Sequence, residues 1–174
     1  MPHPRIPSAL SAVLLLAGVG TFCAGATRAQ EQALPQAAPQ DLATYPRTML
    51  TIKSGSAVHT FTVWVADTPP RQEQGLMFVR DLPADEGMLF THCCTGIWMK
   101  NTYIELDIVF IGPDGRITKI AERARPFDET TIGAPGVAEA VVELKGGEAA
   151  HLNLKVGDHV QWESSTGKAA AKAG

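Results

Sequence analysis

Residues 104–111, Ile-Glu-Leu-Asp-Ile-Val-Phe-Ile, constrain the fold more than any other stretch. In an extended chain, alternate side chains point to opposite faces. Ile104, Leu106, Ile108 and Phe110 therefore share one face, and Val109 and Ile111 occupy the other. A strand that is apolar on both sides has to be covered on both sides, which predicts an internal strand of a sheet.

Other segments supply its neighbours. Leu50 and Ile52 alternate with Met49, Thr51 and Lys53, and Phe61, Val63 and Val65 alternate with Thr60, Thr62 and Trp64. Both are half-buried strand patterns, and the Ser54-Gly55-Ser56 link makes the two a hairpin. Strand-like pieces follow at Met88–Phe90, Ile97–Met99, Arg116–Ile120, Val141–Leu144 and His159–Glu163, with a turn at Gly112-Pro113-Asp114-Gly115. Asp67-Thr68-Pro69-Pro70 starts a short helix, with a capping residue before Pro in the first turn, and Gly75 ends it. Short strands at roughly ten-residue spacing predict a mainly β fold, a compact sandwich or barrel of about seven strands with one or two short helices.

The ends differ in character from this domain. Arg5, the apolar run Ser8–Gly20 and the small residues Ala24-Gly25-Ala26 follow the order of a secretory signal peptide, predicted over residues 1–29. The apolar run is shorter than the roughly 20 residues a spanning helix needs, so no membrane span is expected after cleavage. Cys23 follows Phe22, where a lipoprotein signal carries a small residue. The expected location is periplasmic or secreted. Residues 30–46, rich in Ala, Gln and Pro, predict a flexible linker, residues 47–164 a single domain, and residues 165–174 a disordered tail. Loss of residues 1–29 removes Arg5 and Arg28 and no acid, leaving 13 basic against 18 acidic residues, a net charge of −5. That balance argues against a nucleic-acid binder, which would carry a basic stripe.

Three blocks carry a resemblance to a known family: RQEQGLMFVRDLPADEGMLF from Arg71, WMKNTYIELDIVFIGPDGRI from Trp98, and VVELKGGEAAHLNLKVGD from Val141. In that order they resemble the uncharacterised DUF192 (UPF0127) family across essentially the whole domain. The resemblance implies a compact β-rich fold with short helices and supplies no function. It also singles out Arg71, Gly75, Arg80, Lys100, Asn101, Asp107 and Glu143 as positions matching the family pattern.

If those residues converge, they form a mixed-charge ligand-binding pocket with Trp98 as a wall. Arg71 or Arg80 would hold a carboxylate or phosphate through paired N–H groups, Lys100 would act as a point charge, and Asn101 and Thr102 would meet polar ligand groups. The ligand expected is small and polar, anionic or saccharide. An enzyme of the cell envelope is the alternative, with Asp107 or Glu143 as general acid or base. Each residue also has a structural reading: Lys100-Asn101-Thr102 as a turn, Asp107 and Glu143 as partners of structural arginines, and Gly75 as a backbone device.

A third possibility uses His92-Cys93-Cys94. The α-carbons of adjacent residues lie about 3.8 Å apart, which would strain a disulfide between Cys93 and Cys94 and ease its reduction. With Met77, Met88 or Met99, the same residues could instead hold a soft metal such as copper. Adjacent cysteines lack the C-x-x-C spacing of strong metal or redox signals. The lone histidines His59, His151 and His159 suggest no site, and no H-E-x-x-H, G-x-S-x-G or phosphate-loop pattern is present. The sequence therefore names no cofactor and no protein partner.

Overall fold

A computed structural model describes residues 39–92 and 96–163. Within them the fold is mainly β. Strands β1 (Arg47–Ser54) and β2 (Ala57–Ala66) form the expected hairpin. Ser54 and Ala57 are the last pair, and Gly55 takes φ 59° at the first turn position, where a II′-type hairpin places glycine. Helix α1 (Pro69–Gln74) follows, and then strands β3 (Glu86–Thr91), β4 (Gly96–Ile97), β5 (Leu106–Ile111), β6 (Ile117–Ala124), β7 (Ile132–Gly133) and β8 (Ala140–Lys145). Helix α2 (Glu148–His151) and strand β9 (His159–Trp162) complete it.

Seven strands form one sheet in the order β6-β5-β8-β3-β2-β1-β9, and β4 and β7 pair separately. All neighbours in the large sheet are antiparallel except β2 and β3. A parallel pair needs a crossover connection, and α1 lies on it. The sheet curls into a half-barrel whose outer strands meet at one end. There the Ile117 N–H donates to the Asp158 carbonyl (2.9 Å) and the Val160 N–H to the Gly115 carbonyl (2.8 Å).

Two apolar layers result. The inner one draws residues from all seven strands, among them Leu50, Phe61, Leu89, Val109, Ile117, Val142 and Val160. The outer one covers β3, β5 and β8 with the loops around Leu76, Leu82, Ile97 and Met99. Strand β5 is buried along its whole length between them: Leu106, Ile108 and Phe110 enter the outer layer, Val109 and Ile111 the inner. Each such side chain contributes roughly 1.5–3 kcal/mol of burial, so the two-faced pattern alone accounts for much of the cohesion here.

The structure adds elements that periodicity does not reveal. Strand β7 and helix α2 are too short to show a period, and the Ile97–Met99 segment pairs only over Gly96–Ile97. Ahead of β1, residues 42–44 form a 3-10 turn capped by the Asp41 side chain, and Tyr45 is buried in the outer layer. Ordered packing thus begins before Arg47, because Tyr45 is the large apolar residue that the Ala/Gln/Pro composition conceals.

Candidate functional site

Helix α1 is short because its sequence closes it at both ends. Pro69 and Pro70 occupy the first turn, where a missing N–H is tolerated. Gly75 ends it with φ 51° and ψ −135°, a conformation for glycine, while its N–H donates to the Arg71 carbonyl (2.8 Å). A Cβ at position 75 would lie 3.1 Å from Cζ of Phe90 and 3.9 Å from Oε2 of Glu143. The bare backbone therefore leaves space over the outer face of the sheet. That space is a cleft of about 30 Å³, bordered by Gln72, Gly75, Phe90, Trp98, Thr102 and Glu143.

Glu143 forms its floor. The residue alternates with Val142 and Leu144, which enter the inner layer, so its carboxyl faces outward with Val141. Its cross-strand neighbours are Met88 on β3 and Ile108 on β5. The residue is 4% exposed, and Oε2 is buried without a hydrogen-bond partner among the described residues. Removal from water disfavours the ionised form, and burial pushes the Glu143 carboxyl up to about 8.

Asp107 is arranged differently. It pairs with Leu144 in register, so it faces the inner layer, on the side of the sheet opposite Glu143. Its Oδ1 accepts N–H donors from Arg123 (2.7 Å) and Gly147 (2.9 Å), and its Oδ2 accepts the Ala149 N–H (2.8 Å). Two of those donors open α2, whose N-terminal turn holds no side-chain cap of its own. Asp107 thus fastens the β5–β6 bulge to α2, and the two candidate carboxylates share no cleft.

Lys100-Asn101-Thr102 forms a turn. The Thr102 N–H donates to the Met99 carbonyl (3.1 Å), and Asn101 takes φ 52°. Asn accepts this left-handed geometry more readily than most residues. Two other loops attach to the turn: the Phe78 N–H donates to the Asn101 carbonyl (2.9 Å) and the Phe127 N–H to that of Thr102 (3.3 Å). Phe78 (φ 68°) and Phe127 (φ 61°) are themselves left-handed, and their rings flank Tyr103. Thr102 points inward to the cleft, whereas Trp98 stands half-exposed at its rim with Lys100 Nζ 5.0 Å above the ring.

The cationic candidates do not enter the cleft. Arg71 pairs with Asp67 (2.7 Å), donates to the Thr44 carbonyl and lies over Tyr45. Arg80 stacks 4.6 Å from the Tyr103 ring. Asn101 reaches only the Met77 sulfur, at 3.9 Å. Of the expected pocket residues, Trp98, Thr102 and Glu143 come together; Arg71, Arg80, Lys100, Asn101 and Asp107 stay outside.

For the third constellation, Cys93 and Cys94 lie outside the described residues. His92 is exposed, with Nδ1 3.6 Å from Glu139 Oε1, and Met99 is buried in the outer layer. Among the described residues, no group of three or more His, Cys, Asp or Glu side chains is placed to hold a metal ion. Nor is any helix among them long and apolar enough to cross a membrane.

Comparison with known proteins agrees with the resemblance noted in the sequence. The family model DUF192, described as "Uncharacterized ACR", matches residues 50–162. The chain belongs to the DUF192 family. A crystal structure of a protein of unknown function from Novosphingobium aromaticivorans is similar to it, with 40% identity and a TM-score of 0.68 over 76% of this chain and 95% of that one. Another, titled a putative transcription regulator from Sinorhizobium meliloti, shows 37% identity and a TM-score of 0.65 over 68% of this chain and 95% of that one. No curated protein is detectably similar.

In this DUF192 domain, the cleft residues that sequence reasoning passes over are Gln72 and Phe90. Gln72 reads as one more polar residue of a short helix, and Phe90 as ordinary core. Glu143 did leave a signal: it is the lone acid within Ala140–Leu144, and strand parity places it on a covered face.

Proposed function

We propose that this DUF192 protein is an exported accessory module that binds a small polar ligand in the cleft between Trp98 and Glu143. The observation that carries the proposal is the carboxyl of Glu143, buried at the cleft floor with an oxygen that no group among the described residues satisfies. Buried polar atoms in folded proteins nearly always have partners, and an orphan facing a cleft is a place for an external one. Export is supported by the charge, apolar run and small-residue site of residues 1–29, and places the ligand in the periplasm or outside the cell.

A thermal-shift screen of polyols, amines and carboxylates on the mature chain tests the reading. Stabilising compounds are expected to lose their effect on Thr102→Val, which removes a cleft hydroxyl at nearly constant volume. Equal shifts for both proteins would place binding elsewhere and sink the assignment.

The enzyme reading keeps one specific support. Held up to about 8, Glu143 carries its proton at neutral pH and can donate it to a bound substrate. It would act without Asp107, which faces the other side of the sheet. Recovery of the bound compound chemically unchanged after long incubation favours the module; conversion that fails in Glu143→Gln favours the enzyme.

A further inference from the structure

We infer that the group received by the cleft is the ammonium end of a small amine, seated on Glu143. The inference rests on the polar-ligand reading above and names its chemistry.

Charge is the first argument. Among the described residues, Glu143 sets a carboxyl at the cleft floor, Glu73 borders the cleft from the exposed side of α1, and no Lys, Arg or His lines it. At the cleft floor an anion would meet no cation, because Lys100 stays at the rim over Trp98, and only the protonated form of Glu143 could donate to it.

Hydrogen-bond capacity is the second. Gln72 Nε2 already donates to the carbonyls of Ala66 (3.2 Å) and Thr91 (2.9 Å). Gln74 exchanges both ends of its amide with the backbone of Gln40. The Thr102 hydroxyl donates to the Lys100 carbonyl (3.2 Å). Apart from the Trp98 indole N–H and one N–H of Gln74, the described polar side chains around Glu143 have committed their donors. An ammonium group has three donors and no acceptor, and is the complement of such a surface.

Size and walls are the third. About 30 Å³ exceeds the roughly 10–15 Å³ of free space that one water molecule requires, enough for one –NH₃⁺ group while the rest of the ligand stays at the Trp98 rim. Phe90 adds aromatic surface, which attracts cations, and the Trp98 ring at the rim has a cation of its own, the Lys100 ammonium. On binding, the Glu143 carboxyl gives up its proton to solvent and pairs with the ammonium as a carboxylate, so that charge is balanced in the site.

The test uses methylammonium, glycerol and acetate as probes on the mature chain, followed by amide and indole resonances of Gly75, Trp98 and Thr102. Methylammonium is expected to move these resonances, to bind about tenfold more tightly per pH unit as pH rises from 6 toward 8, and to weaken at least about tenfold in Glu143→Gln. Among the described cleft residues Glu73 is the other acid, on the exposed side of α1; Lys100 stands at the rim over Trp98, and Met88 and Ile108 flank Glu143 within the sheet. If glycerol or acetate moves the resonances and methylammonium does not, the ammonium assignment falls and the polar-ligand reading stands. If none of the three does, both fall. Should Glu143→Gln not fold, Glu143→Met, an apolar replacement of similar length for a buried site, takes its place: methylammonium affinity unchanged in it overturns the inference.

Discussion

Asp107 and Glu143 sit one register position apart on adjoining strands, and the pleat sends them to opposite faces. Asp107 accepts three backbone N–H groups, and Glu143 leaves an oxygen without any. Replacing Asp107 by Ala would orphan three donors at once, at a cost of about 3–5 kcal/mol. Urea unfolding should show that loss, while ligand affinity in the outer cleft stays unchanged in whatever fraction remains folded. For Glu143 the consequence depends on pH. Its folded value of about 8 lies above the ordinary 4.5. Below 4.5 both folded and unfolded chains are protonated there and the group is neutral to stability. Between 4.5 and 8 the unfolded chain ionises while the folded one keeps its proton, so stability falls as pH rises, and above 8 the full penalty is present. Glu143→Gln removes this slope. It should match the wild type near pH 4.5 and exceed it by on the order of 2–4 kcal/mol at pH 8.5, read from urea midpoints at the two pH values.

Among elements, the Met99–Thr102 turn ties loops together with backbone groups, so its side-chain requirement is small. Asn101→Gly should leave stability within about 1 kcal/mol, whereas Asn101→Val, with a branched Cβ in a left-handed position, should cost about 1–2 kcal/mol; thermal unfolding of the two variants separates them. The strands were legible because period-two alternation registers each residue's face: Phe61 and Val63 point inward, and the two-faced run at Leu106–Ile111 is buried throughout. Helix α1 was legible through Pro69, Pro70 and Gly75. The cleft was less so. It is assembled by the end of α1, β3, β8 and the Trp98–Thr102 segment, and no local pattern states which of these meet. Arg71, Arg80 and Lys100 matched the family pattern as strongly as Glu143, but each found an acid or an aromatic ring near its own loop. Nothing local distinguishes a cation held by Tyr103 from one held by a ligand.

At the level of the whole domain, the sheet runs from β6 to β9 and its two outer strands meet across Gly115–Ile117 and Gly157–Val160. Backbone groups that would otherwise template foreign strands are thereby occupied along that stretch. A chain ending at Lys155 lacks β9, uncovers the outer side of β1 and removes Val160 from the inner layer. It should lose cooperative unfolding and dispersed amide resonances altogether; retention of either would mean that β9 is dispensable. The same seam sets the chronology of folding. Leu50 pairs with Trp162, so the earliest strand to leave the ribosome waits for the latest before it has a neighbour on its outer side. Contacts so distant in sequence are slow to form, and until they do, β1 offers a sticky border that a chaperone would have to shield.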